Sequence, residues 1–334
     1  MADTISRRIY LRNGACIIGA FMAASVLPPP ITPVFAAAQG QRNSVVSGKK
    51  TKVFFTREIS VEGLRKVYAH VNQGLIGKIA VKLHTGEPNG PYIIPQEWVK
   101  AFMSDIPNST IVECNVLYNS LRQTTEGHRK VLETNGWTFN PVDIMDAEGD
   151  VSLPIWGGKW LKEVAAGKNI LNYDSMLVLT HFKGHPLGGF GGALKNMSIG
   201  CASGKVGKQQ LHARPSDGSW PGGDPFMERM VEGGKAIADH FGQHITYINV
   251  LRSMSVDCDC IGTSAARPTA PDIGILASTD VLAVDKASVD MVYALPEAQR
   301  HDLVERIESR GGLRQLTCME ELGMGNSNYT VINI

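Results

Sequence analysis

Three stretches of this chain, Met176 to Thr180, Ile245 to Leu251 and Ile273 to Ala277, are apolar at most positions. A strand with one face in water alternates apolar and polar residues, so a nearly continuous run marks a strand covered on both faces. Shorter runs of the same kind, Val53 to Thr56, Ile79 to Leu83 and Thr110 to Cys114, are interleaved with segments of helical period. Val61 to Val71 places Leu64, Val67, Tyr68 and Val71 on one face, and Thr125 to Asn135 is followed by Gly136, where a helix commonly ends. Pro225 to Phe241, Val284 to Tyr293 and Glu297 to Arg310 read as further helices. Doubly covered strands alternating with helices predict an α/β fold, with a mostly parallel sheet and flanking helices. This domain is expected over residues 51–334, either as one body or as two lobes meeting near 200–223.

Ahead of it lies a different kind of sequence. Arg7, Arg8 and Arg12 precede an apolar run from Ala15 to Leu27, then come Pro28, Pro29 and Pro30, and then Ala36, Ala37 and Ala38. The run is shorter than the ~20 residues a membrane-spanning helix needs. The order resembles a twin-arginine signal peptide over residues 1–38; an uncleaved single-span anchor and a chance apolar N-terminus are the alternatives. The resemblance implies passage through the twin-arginine export machinery, a periplasmic or otherwise extracytoplasmic location, and no permanent membrane span after cleavage. It also implies a passenger folded before export, often around a metal or cofactor. Residues 39–50, polar and small, read as a linker. Cleavage after Ala38 leaves 296 of the 334 residues, five of the six cysteines and a formal net charge of −1, against +1 for the whole chain. Near-neutral charge argues against a nucleic-acid partner, whose phosphates call for a surplus of Lys and Arg.

In a parallel α/β sheet, ligands bind where strands end and loops begin. After the Ile79 run come His84 and Glu87, a base and an acid flanking Gly86; after the Thr110 run come Asn115 and Arg122, with His128 on the next helix. The densest segment starts at His181 and runs through Lys183, His185, Gly188, Gly189, Gly191, Gly192 and Lys195 to Asn196. Its glycines let the backbone approach a ligand and offer N–H groups to an anion, while the histidines and lysines supply bases or metal ligands. It has neither the Gly-Lys-Ser/Thr ending of a P-loop nor the spacing of a dinucleotide fingerprint. A plain anion-tolerant loop is the alternative. Cys258 and Cys260 flank Asp259; in an extended segment their thiols share a face and could chelate one soft metal, and a structural turn is the other reading. His181, His185 and His212 could converge as nitrogen ligands of a metal. Cys114 and Cys318 read as small buried hydrophobes, Asp280 and Asp285 as helix caps, and His70, His240, His244 and His301 as structural or surface residues.

Taken in order, Leu83 to Glu87, His181 to Asn196, Asp257 to Cys260, Pro271 to Asp280 and Glu321 to Gly325 resemble a large family of uncharacterised bacterial and archaeal proteins, many of them labelled as containing an iron–sulfur centre. Members often carry Cys-x-x-Cys-x-x-Cys insertions after the glycine-rich segment. This chain has only Cys201 between Gly200 and Gly223, so a four-cysteine iron–sulfur cluster is not expected. More distantly, His185 to Lys195 is similar to the segment of nickel-pincer lactate racemases in which a catalytic histidine precedes, by ten positions, the lysine carrying a nicotinic-acid-derived cofactor. The resemblance implies a lactate-racemase-like fold, with Lys195 as cofactor anchor or electrophile and His212 near the place of a nickel-binding histidine. Together these readings point to an exported protein that binds a metal or metal-containing cofactor and a small-molecule ligand. It would be an enzyme of proton or hydride transfer on a small anion, with Lys195, His185, His128, His84 and Glu87 as catalytic candidates. The cofactor-binding candidates are Gly188, Gly189, Gly191, Gly192, Lys195, Asn196, Lys183, Asn115 and Arg122, and the metal candidates Cys258, Cys260, His181 and His212. The alternative is a periplasmic binding or electron-transfer protein without turnover.

Overall fold

A computed structural model describes residues 50–334, so the segment expected to be a signal peptide and all but the last residue of the expected linker lie outside the described residues. The first half of the chain forms β1 (Thr51–Thr56), α1 (Val61–Ala69), β2 (Ile79–Lys82), α2 (Gln96–Met103), β3 (Ser109–Glu113), α3 (Thr125–Thr134), β4 (Val142–Ile144), β5 (Asp150–Pro154) and β6 (Glu163–Gly167). Then come β7 (Ser175–His181), β8 (Lys183–His185), β9 (Gly189–Gly191), α4 (Ala193–Cys201), α5 (Gly207–His212), α6 (Asp224–Phe241) and β10 (Ile245–Leu251). The chain ends with β11 (Gly274–Ser278), α7 (Val281–Tyr293), α8 (Glu297–Ser309), α9 (Arg314–Glu321) and β12 (Tyr329–Asn333).

The central sheet has the order β12-β1-β11-β10-β7-β2-β3-β4. All its pairings are parallel except the two made by β11, which runs against both β1 and β10. This is the mostly parallel α/β sheet with flanking helices expected from the apolar runs. The period of two in β7 shows why those runs are continuous. Met176 and Val178 join the core shared with Met197, Phe226 and Leu282, on the side of α4, α6 and α7. Leu177 and Leu179 join the opposite core of Leu64, Phe102 and Leu132, under α1, α2 and α3. Residues 200–223 contain the end of α4 and all of α5, and α5 packs on α6 and β6. Among the described residues no helix is long and apolar enough to cross a membrane.

Several elements had no sequence expectation: α2, α4, α5, α9, β4, the β5–β6 hairpin and β12. α4 shows the physical reason. Ala193, Leu194, Met197, Ser198 and Cys201 are all buried and small or apolar, so the helix has no strong polar face to set a period. α7 begins three residues earlier than its apolar run suggests, because Asp280 accepts the N–H of Ala283 at 2.9 Å as N-cap. Asp285, expected to cap its own helix, sits inside α7 and caps a different one. Its buried carboxylate accepts the N–H groups of Ala193 (2.7 Å) and Leu194 (2.9 Å) at the start of α4, and Asn249 Nδ2 at 2.8 Å.

That anchor has a pH signature. Burial, only partly opposed by these three donors, raises the Asp285 pKa to about 6. A carboxyl whose pKa is higher folded than unfolded favours the fold most below its ordinary value, and this contribution is lost as pH rises through the folded value. The stability of the wild type relative to Asp285→Asn should therefore fall by up to about 3 kcal/mol between pH 4 and pH 7. Urea unfolding of both proteins across that range checks it; a flat difference would contradict it.

Candidate functional site

The carboxyl ends of β2, β3 and β7 open onto a cavity of about 430 Å3. His84, Glu113 and Arg122 line it from the β2 and β3 side, and Lys183, His185, Gly191, Gly192 and Lys195 from the glycine-rich segment. Lys82 of β2, Lys208 and His212 of α5, Tyr118, Trp220 and Cys260 line it as well. The expected concentration of polar residues at strand ends is thus a real place.

The glycine-rich segment is a short hairpin, β8 and β9, leading directly into α4. The first two amides of α4, which follow its glycines, are already taken by Asp285 and are not free for an anion. Gly192 and Gly189 serve close packing. A Cβ on Gly192 would lie 2.4 Å from Asp285 Oδ1, and one on Gly189, whose φ is +78°, 2.8 Å from Gly312 Cα. The carbonyl of Gly188 accepts Gln315 Nε2 at 2.6 Å. At Gly184 a Cβ would come 2.2 Å from the Val256 carbonyl, while the Gly184 N–H donates to Ser255 O at 2.7 Å. This close approach docks the cysteine loop against the hairpin.

Two other elements hold that loop. Arg306 of α8 donates to Val256 O at 2.6 Å and to Asp257 Oδ1 at 3.1 Å. Asp259 is pinned by Lys183 Nζ at 2.7 Å and His181 Nδ1 at 3.0 Å. Despite the burial penalty, these two partners hold the Asp259 carboxyl well below its usual range. The segment is not extended as expected: Asp259 to Ser264 turns into a 3-10 helix. Both thiols nevertheless arrive together. One donor atom each from His185, Cys258 and Cys260 lie within 4.8 Å of one another, a group able to hold a metal ion.

The charges around the sulfurs are ordered. Lys195 Nζ lies 3.1 Å from Cys258 Sγ. The Cys260 thiol donates to Cys258, and with Lys195 this keeps Cys258 a thiolate, far below an ordinary thiol pKa; Cys260, as the donor, is pushed up. Burial and the Lys195 charge push the His185 pKa down to about 4. His185 Nδ1 accepts the N–H of Gly188 at 2.9 Å and of Leu187 at 3.3 Å. The neutral ring therefore carries its proton on Nε2, and a metal there would have to displace it. The two sulfurs are the stronger ligands of the three.

Other candidates are placed elsewhere. His181 stands outside the metal-ligand group, because Asp259 takes Nδ1 and Arg252 O lies 2.8 Å from Nε2. His212 lines the cavity but stacks on Phe226, 4.9 Å between ring centroids, and does not join the three clustered donor atoms. His128 is fully buried; Arg122 Nε donates to its Nε2 at 3.1 Å and Asn115 Oδ1 is 3.3 Å from Nδ1. Burial and Arg122 drive its pKa down to about 2. Glu87 accepts Tyr118 Oη at 2.6 Å, Ser120 Oγ at 2.6 Å and Arg122 Nη1 at 3.2 Å, and is not among the cavity-lining residues. These two residues brace Arg122 rather than face a ligand. His84 lines the cavity, with Nδ1 accepting the Gly86 N–H at 3.2 Å. Asn196 uses both ends internally: Nδ2 donates to Leu179 O and Thr180 Oγ1 at 3.0 Å, and Oδ1 accepts Lys82 Nζ at 3.0 Å.

Sequence reasoning passed over Lys82, Glu113 and Lys208. Glu113 is the hub of a buried charge network, accepting Lys82 Nζ at 2.9 Å, Arg122 Nη2 at 3.0 Å and the Thr85 N–H at 2.9 Å. For Lys82 and Glu113 the available signal was a charged residue ending a strand directly after apolar ones, Ile79 to Val81 in β2 and Ile111 and Val112 in β3.

The chain is similar to the solved lactate racemase apoprotein from Thermoanaerobacterium thermosaccharolyticum, with 10% identity, a TM-score of 0.39, and coverage of 72% of this chain and 56% of that one. It is also similar to a crystal structure of a Thermotoga maritima protein, with 13% identity, a TM-score of 0.38, and coverage of 57% and 49% respectively. The chain thus spans about half the length of these two structures. No curated protein matches it. The model of a family described as "Domain of unknown function (DUF362)" matches residues 79–290, more than half of the sequence, and the chain belongs to that family.

Proposed function

We propose that this protein holds one soft metal ion through Cys258 and Cys260, assisted by His185, and that the adjoining cavity takes a small organic anion for proton or hydride transfer. The observation that carries the reading is the convergence of the three donor atoms within 4.8 Å at the cavity. Thiolates suit a soft ion, and Cys258 is already held in that form. A bound ion would supply Lewis acidity next to the cavity. Lys195 both lines the cavity and touches Cys258, so its ammonium can neutralise the thiolate or an incoming anion. His84, which lines the cavity with Nδ1 3.2 Å from the Gly86 N and 3.5 Å from Glu113 Oε1, is the acid–base group of this reading, while His185 serves the ion. A second reading, a carrier without turnover, is favoured by the commitment of His128 and Glu87 to internal partners.

Elemental analysis after chelation and reloading with Zn2+, Ni2+ or Cu+ tests the metal part. One equivalent per chain is expected; no retained metal with any of the three would overturn it. Export rests on the leader sequence alone. Changing Arg7 and Arg8 together to Lys should leave the protein in the cytoplasmic fraction with its leader intact, whereas the unchanged chain should be recovered outside the cytoplasm beginning at Gln39. Equal export of both would refute the twin-arginine route.

A further inference from the structure

Most of the cations lining the cavity already have an anionic partner. Lys82 pairs with Glu113, Arg122 with Glu113 and Glu87, Lys183 with Asp259, and Lys195 with Cys258. Lys208 is different. It is 5% exposed, and its Nζ donates to the carbonyl of Ala202 at 2.6 Å; among the described residues no carboxylate pairs with it. Asp146, a carboxylate that acts on it from a distance, is committed to the N–H groups of Asn115 and Gly204. One turn further along α5, on the same face, His212 is 8% exposed and its buried Nδ1 has no hydrogen-bond partner. Both residues line the cavity.

A buried ammonium without a counter-charge, beside an imidazole with an unsatisfied nitrogen, is costly for the apoprotein. An anion bound at this place removes both costs together. We propose that Lys208 and His212 form a carboxylate-binding subsite of the cavity, receiving the acid group of a small organic acid. The Lys208 ammonium has three N–H donors, of which Ala202 uses one, so two remain for the carboxylate oxygens. One ammonium balances one negative charge, which suits a carboxylate better than a phosphate dianion. Leu187, Ile199 and Trp220 line the cavity beside them and offer apolar surface to a short carbon chain. The subsite names the ligand class for the cavity described under the proposed function. It rests on that reading of the cavity as a ligand site, but not on the metal.

Isothermal titration of the full chain, stripped of metal by chelation, with glycolate and with its neutral isostere glycolamide separates the two claims. Glycolate should bind saturably and glycolamide should not. Lys208→Gln keeps a donor for Ala202 while removing the charge; it should weaken glycolate binding by about tenfold or more, with a Tm no lower than that of the wild type. His212→Phe keeps an aromatic ring against Phe226 and should also weaken glycolate. Equal binding of glycolate and glycolamide, or undiminished glycolate binding by Lys208→Gln, would overturn the subsite. Displacement of glycolate by an equal concentration of inorganic phosphate would overturn its assignment to carboxylates. Because the protein is metal-free throughout, a failure of metal uptake leaves these outcomes unaffected.

Discussion

Cys258→Ser should lower the affinity for a soft metal at least about a hundredfold, since even residues that only orient a metal ligand are worth 10- to 100-fold. The substitution replaces a buried thiolate with a hydroxyl that does not ionise near neutral pH. Lys195 then loses the sulfur anion 3.1 Å from its Nζ. Cys260→Ser should have a comparable effect if, as proposed, the two thiols chelate the ion together. His185→Ala should cost less than Cys258→Ser, because the Cys258 sulfur is already a thiolate, whereas the His185 Nδ1 is held as an acceptor by Gly188 and Leu187 and its Nε2 must lose a proton before it can bind an ion. Competition against a chromophoric chelator gives the three affinities. An order with His185→Ala as the most damaging change would show that the imidazole, and not the dithiol, is the principal ligand.

Glu113→Gln should destabilise the fold by about 3–5 kcal/mol, the cost of removing one partner from a buried ion pair. For a domain of this size that is a drop in Tm on the order of 10 °C. Glu113 is 2% exposed and balances Lys82, itself 1% exposed, together with Arg122 at 2%. Glutamine can still accept the Thr85 N–H but leaves Lys82 with only neutral partners, Leu83 O and Asn196 Oδ1. The double change Lys82→Met with Glu113→Gln removes both charges and should recover part of the loss. Thermal unfolding of the two single variants and the double variant closes the cycle. A double variant less stable than Glu113→Gln alone would show that Lys82 contributes chiefly through its packing and neutral hydrogen bonds.

The elements legible in the sequence are those whose burial is periodic. β7, β10 and β11 are covered on two faces and appear as apolar runs; α1 and α3 are covered on one and appear as amphipathic segments. α4 and α5 have no such pattern, because polarity does not follow burial in them: Lys208 and His212 lie on the buried face of α5, and Ile199 and Gly200 on the half-buried side of α4. Within the site, the sequence pointed to Lys195, His185, Cys258 and Cys260, and they do meet. His181, His128 and Glu87 were equally visible as polar residues at strand ends, yet each is satisfied internally.

What the sequence determined by itself is therefore the α/β class, the placing of polar residues at the ends of the parallel strands, and a part of the cavity lining that includes His84, Lys183, His185, Lys195 and Cys260 but not Lys82, Glu113 or Lys208. These follow from local periodicity and from the rule that polar residues bordering buried strands need a reason to be there. Only the tertiary structure decided which polar groups pair with each other. A hydrogen bond or ion pair such as that between Lys183 and Asp259, 76 positions apart, leaves no mark on the local pattern of either residue. The same holds for Lys208: only the folded arrangement reveals a buried ammonium in the cavity wall without an anionic partner among the described residues.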